Sequence, residues 1–147
     1  MGKFLVICFF TSVAYIAIAQ DHLSSPDSLL EKLNKNQPDS DKLNVLLKLG
    51  DFYLFKPNEF KEDLDVAITY FNQAKIIVDK LQSNKWQNRI WISMMNYYFE
   101  KHDYQNAKYT FDSLIRNFQK TGNKIQEAET YETYTEKLNY SKTDPAF

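Results

Sequence analysis

Apolar residues recur along this chain in steps of three and four, the period of a helix face. Ala67, Phe71 and Ala74 form one such trio, and Ala107, Phe111 and Leu114 repeat its steps 40 residues later. A second set of apolar positions precedes each trio. Leu46, Leu49, Gly50 and Tyr53 stand before the first, and Trp91, Met94, Met95 and Tyr98 keep the same steps before the second. The unit is therefore two helices, with a small residue leading each second helix so that a neighbouring backbone can come close. Strand-like alternation is absent. The pattern predicts an all-α chain with helices near 26–35, 41–55, 63–82, 86–101, 104–120 and 124–139.

Punctuation supports the same division. Ser25-Pro26-Asp27 suits a helix start, with Ser25 as the cap, Pro26 in the first turn and Asp27 against the positive helix end. Leu29, Leu30 and Leu33 give this short helix one apolar side, able to cover the exposed end of the first unit. Gln37-Pro38-Asp39-Ser40 then breaks it and caps the next helix. A further step of 40 from the second unit reaches Tyr131, Tyr134, Thr135 and Leu138, the first helix of an unfinished third unit, and carries Ala107 onto Phe147.

These residues resemble the tetratricopeptide repeat, whose helix pair reads W/L-x2-L-G/A-x2-Y followed by A-x3-F-x2-A. Leu46 to Tyr53 and Ala67, Phe71, Ala74 fit the first unit, with a longer loop over Phe55 to Asp63. His102-Asp103-Tyr104-Gln105-Asn106-Ala107 fits the turn of the second, with His102 where the family has glycine. Met95 and Leu114 stand at places the family reserves for small residues. The family period is about 34 residues, so a spacing of 40 implies longer second helices, through Ile76 to Leu81 and Ile115 to Lys120. The resemblance implies an α-solenoid of two full units plus a partial third. The lead-in D-S-L-L-E-K-L and D-S-D-K-L-N-V-L-L-K-L-G-D is also similar to the periplasmic repeat domains of sensor proteins from the Bacteroidetes group, which would make this the N-terminal part of a longer sensor.

The first residues are of another kind. Lys3 precedes an apolar run from Phe4 to Ala19, and Ala17-Ile18-Ala19 before Gln20 has the small-x-small form of a signal-peptidase site. The run is shorter than the roughly 20 residues of a membrane span. Residues 1–19 read as a signal peptide, 20–40 as a lead-in with its capping helix, and 41–147 as the repeat domain, exported to the periplasm or secreted. An uncleaved anchor is the other reading of the run. Cys8, the sole cysteine, lies inside it, so the mature chain has no disulfide chemistry.

Composition narrows the function. A formal net charge of −1 with Lys+Arg 18 against Asp+Glu 19 leaves no electrostatic footprint for nucleic acid. The three glycines, Gly2, Gly50 and Gly122, build no phosphate loop, and His22 and His102 supply neither a zinc cluster nor a catalytic pair. His102 beside Asp103 reads as a solvated turn. No cofactor, metal or catalytic residue is expected, and Phe71, Phe111, Phe118, Tyr53, Tyr98 and Trp91 fall on core phases. Glu127, Glu129, Glu132 and Glu136 are most simply a solvated helix face.

The repeat resemblance implies a concave groove lined by the second, fifth, ninth and twelfth positions of each first helix. These are Asn44, Leu47, Asp51 and Leu54, then Arg89, Ile92, Asn96 and Phe99, then Glu129, Glu132 and Glu136. Leu47, Leu54, Ile92 and Phe99 would form an apolar floor for a peptide or partner helix, unless the chain's own N-terminal helix covers it. The acidic end would favour a cationic amphipathic segment, with no nucleic acid and no membrane once the signal is removed. A structural role, in which the third unit docks onto a second copy as a homo-oligomer, is the alternative; a small all-α enzyme comes third. If the export reading holds, mass spectrometry of protein made in a Gram-negative host will find a chain starting at Gln20. Intact Met1 in the membrane fraction would mean an anchor.

Overall fold

The computed structural model describes residues 25–57 and 60–143, so the signal and its cleavage site, His22, and Phe147 lie outside the described residues. Six helices occur among the described residues, and no strand: α1 (Pro26–Leu33), α2 (Asp39–Leu54), α3 (Lys61–Leu81), α4 (Asn84–Glu100), α5 (Tyr104–Thr121) and α6 (Lys124–Thr143). All six match the spacing read from the sequence.

Local chemistry sets the boundaries. The Ser25 hydroxyl accepts the Ser28 N–H at 3.3 Å with Pro26 in the first turn, so α1 starts as read. In contrast, α2 begins directly after Pro38, without a side-chain cap; Asp39 and Asp41 in its first turn face the positive helix end instead. The loop before α3 is shorter than expected. Asp63 is the reason: its carboxylate accepts the Phe60 N–H at 3.1 Å and pairs with Lys56 at 3.1 Å, which caps the helix two residues earlier, at Lys61. Those two contacts, the backbone one foremost, hold the Asp63 carboxyl below its usual range. Asp103 caps α5 through the Asn106 N–H at 3.1 Å, and Gly122 ends it in the left-handed region at φ 71°.

Each helix packs on the next in sequence, and α2 also touches α4. The core is a string of three clusters. Leu29 of α1 joins Val45 and Leu49 of α2, flanked by Leu30, Leu33 and Tyr70, so α1 covers the α2 end of the molecule. Leu43, Leu46, Leu47 and Leu54 of α2 meet Ala67, Phe71, Ala74 and Val78 of α3 and Ile90 and Tyr97 of α4. Met95 and Phe99 of α4 meet Ala107, Leu114 and Phe118 of α5, with Tyr134 and Leu138 of α6 against them. Trp91 and Tyr98 touch both larger clusters.

The two helix pairs differ at one position. A Cβ on Gly50 would lie 2.2 Å from Phe71 Cε1, so the Phe71 ring rests on the bare backbone of α2 and is fully buried. Met95 fills the equivalent place in α4. Phe111 is left partly exposed and stacks on Tyr134 of α6, with centroids 4.1 Å apart and planes at 24°. The third unit departs from its reading as well. Tyr134 and Leu138 pack inward, whereas Tyr131 is 46% exposed and Thr135 is exposed, because α6 turns Thr130, Tyr134 and Ser141 toward the bundle.

Gly50→Ala should cost about 1–3 kcal/mol, since the ring of Phe71 is enclosed and must shift to admit a methyl. Thermal unfolding would show this as a lowered midpoint, and an unchanged midpoint would mean that the ring moves freely.

Candidate peptide-binding face

Helices α2, α4 and α6 share a face of the molecule, on which the groove residues were expected. Lateral contact between α2 and α4 changes their roles. Leu47 at 0% and Leu54 at 1% exposure lie inside the first core, and Phe99 at 6% lies inside the second, its ring 5.3 Å from that of Tyr134. They are not a floor. Leu47 and Leu54 pack among residues of α3 and α4, and Phe99 against α5 and α6. Ile92 alone of the four apolar residues stays half-buried; Asn44, Asp51 and Asn96 are also half-buried, and Arg89, Glu129, Glu132 and Glu136 are exposed. The N-terminal helix leaves this region uncovered, as α1 sits on α2 and touches Tyr70 of α3.

A half-open cleft of about 210 Å³ lies between α4 and α6, lined by Ile92, Met95, Gln126, Glu129, Thr130 and Thr133. Four of these were not expected. Met95 stood out in the sequence only as a poor substitute for glycine, yet its long side chain walls the cleft. Gln126, Thr130 and Thr133 fall at steps of four and three on α6, a polar stripe that carries no apolar signal. The hydroxyls of Thr130 and Thr133 donate to Gln126 O at 2.7 Å and Glu129 O at 2.9 Å in their own helix. What they offer the cleft is therefore mainly methyl surface.

One end of the face is closed by a contact across all three helices. Lys137 of α6 pairs with Glu100 of α4 at 2.8 Å, and its ammonium lies 5.7 Å from the ring centre of Phe55, just past the end of α2. Toward the middle, Asp51 of α2 accepts the Ser93 hydroxyl of α4 at 2.9 Å. Burial pushes the Asp51 carboxyl above its ordinary range, against the opposing pull of the Ser93 hydrogen bond and of the Arg89 charge. One turn further along α4, the buried Oδ1 of Asn96 has no hydrogen-bond partner. Arg89 itself lies over Trp86, 5.7 Å from the ring centre.

No family model matches the chain, and no curated protein or solved structure shows significant similarity to it. The arrangement has to be read from its own chemistry. The cleft has a methyl and thioether lining with polar edges. His102 sits in the turn before α5 at φ 57°, its Nδ1 2.9 Å from the Tyr104 hydroxyl, and Asp103 beside it is committed to the α5 cap. Among the described residues no group of His, Cys, Asp and Glu could hold a metal ion, and no helix is long and apolar enough to cross a membrane.

Asp51 makes a pH-dependent test available. A carboxyl whose folded pKa is raised costs stability when it ionises. The cost is absent below the ordinary range near about pH 4, where the group is neutral in both states, and grows as pH rises through the folded value. Asp51→Asn, which is never charged, should melt higher than the parent at pH 7 and level with it near about pH 3. A variant melting lower at pH 7 would show that the Arg89 attraction outweighs burial.

Proposed function

We propose that this chain is an exported, tetratricopeptide-like α-solenoid, of two full helix pairs and a partial third, that binds a protein or peptide on the face shared by α2, α4 and α6. It is not a catalyst on this reading. The α4–α6 cleft carries the proposal: it is the place where apolar side chains, Ile92 and Met95, line an open cavity on that face. Support for the solenoid comes from the packing of consecutive helices, the α2–α4 contact, and the Phe71 ring seated on Gly50. Export rests on Ala17-Ile18-Ala19, and membership of a longer sensor on the lead-in sequence alone.

A second reading has its own observation. Ile125 at 73% and Tyr131 at 46% exposure leave apolar surface on α6, the last helix described, which is where a second copy would dock. Peptide selection on the exported protein, followed by a cleft-filling variant, separates the two. Thr133→Trp should weaken selected peptides by about tenfold or more, the scale of losing a central anchor, while the protein stays monomeric in sedimentation. Phe99 is a core residue, so its truncation would report on stability and not on binding. Unchanged binding by Thr133→Trp would reject the cleft, and a dimer split by Ile125→Lys would put self-association first.

A further inference from the structure

Resting on that reading, the chemistry of the partner can be narrowed by asking what each acidic side chain does. Along most of the molecule the acids have local work. Asp65, Asp79 and Asp112 each pair with a lysine four residues earlier, at 2.7–2.9 Å, on α3 and α5. Glu31, Asp63, Glu100 and Glu127 have a lysine ammonium within 3.1 Å as well. Asp27, Asp39, Asp41 and Glu62 occupy first helical turns and Asp103 caps α5, where a negative charge meets the positive helix end.

Four acids of the described residues have neither duty: Asp51, Glu129, Glu132 and Glu136. Asp51 belongs to α2 and the three glutamates to α6. Glu129 lines the cleft itself. Glu136 follows two turns later on the same stripe of α6, about 10 Å further along the axis, with Glu132 between them. Lys124, Lys137 and Lys142 are the cations of α6, and the first two are bound to Glu127 and Glu100. Glu129, Glu132 and Glu136 are all exposed, so this stretch of α6 presents an anionic stripe.

We propose that the α4–α6 cleft receives an amphipathic segment of another protein, with an apolar residue seated between Ile92 and Met95 and lysine or arginine residues along Glu129, Glu132 and Glu136. Charge complementarity decides the occupant. Three like charges within two turns repel one another at low salt, and a row of basic side chains three and four residues apart both relieves that repulsion and matches its spacing.

The test uses the exported protein and a synthetic amidated peptide of about four helical turns, leucine on one side and lysine on the other, with a twin carrying glutamate for lysine. Fluorescence anisotropy should show the lysine peptide binding and the glutamate twin at least about tenfold weaker. Glu129→Gln/Glu132→Gln/Glu136→Gln should weaken the lysine peptide by about tenfold at low salt and flatten its salt dependence. A control of equal charge, Asp65→Asn/Asp79→Asn/Asp112→Asn, should leave binding near the parent value. Equal losses in both triple variants would reduce the attraction to net charge and overturn the proposal. Loss with Thr133→Trp but not with the glutamine variant would keep the cleft and reject the basic partner. Retention by both variants would reject the cleft too.

Discussion

The approach of α3 to α2 at Gly50 is the constraint on which the first half of the structure is built. With hydrogen in place of a methyl, the Phe71 ring rests on the helix backbone, and Ala67 and Ala74 are fully buried beside it in the same core. That seating fixes which sides of α2 remain for other contacts. Its leucines at 43, 46, 47 and 54 turn toward α3 and α4, and Asn44, Asp51 and Phe55 are left along the outer face.

The second pair solves the same problem differently, and the candidate site follows from the difference. Met95 occupies the space that Gly50 leaves open, so Phe111 cannot settle in the same way and instead stacks on Tyr134. This stack, with Phe99 against Tyr134 and the Lys137–Glu100 pair, is what holds the polar helix α6 to the body. The cleft opens between α4 and α6, where Met95 and Ile92 meet a helix that answers with threonine, glutamine and glutamate. The first pair is packed through Gly50 and the second through the buried Met95, with Phe111 turned to α6.

Electrostatics follow the same division. On α3 and α5, Lys61–Asp65, Lys75–Asp79 and Lys108–Asp112 pair charges along their own helices, in water, where such pairs add little to stability. Asp51 is the opposite case: it is half-buried, accepts the Ser93 hydroxyl, and has its carboxyl pushed above the ordinary range by burial, against the pull of Ser93 and Arg89. Groups kept at a cost to stability gather at working sites more often than elsewhere. Asp51, with its raised carboxyl, and the unpartnered Asn96 oxygen are two such groups, on α2 and α4.

The sequence by itself determined the six helices, because apolar periodicity and capping residues are local and act within a few turns. Ser25, Asp103 and Gly122 set their helix ends through contacts no more than four residues away, and the trios Ala67-Phe71-Ala74 and Ala107-Phe111-Leu114 named the inner faces of α3 and α5. Tertiary structure alone decided the fate of the outer faces. Leu47, Leu54 and Phe99 carry the same periodicity whether they face a groove or a neighbouring helix, and only the lateral packing of α2, α4 and α6 placed them in the core. The cleft was equally invisible. Its walls combine a methionine from one helix with threonines and a glutamine 31 to 38 residues further along the chain, and no local pattern records which helix will stand opposite which.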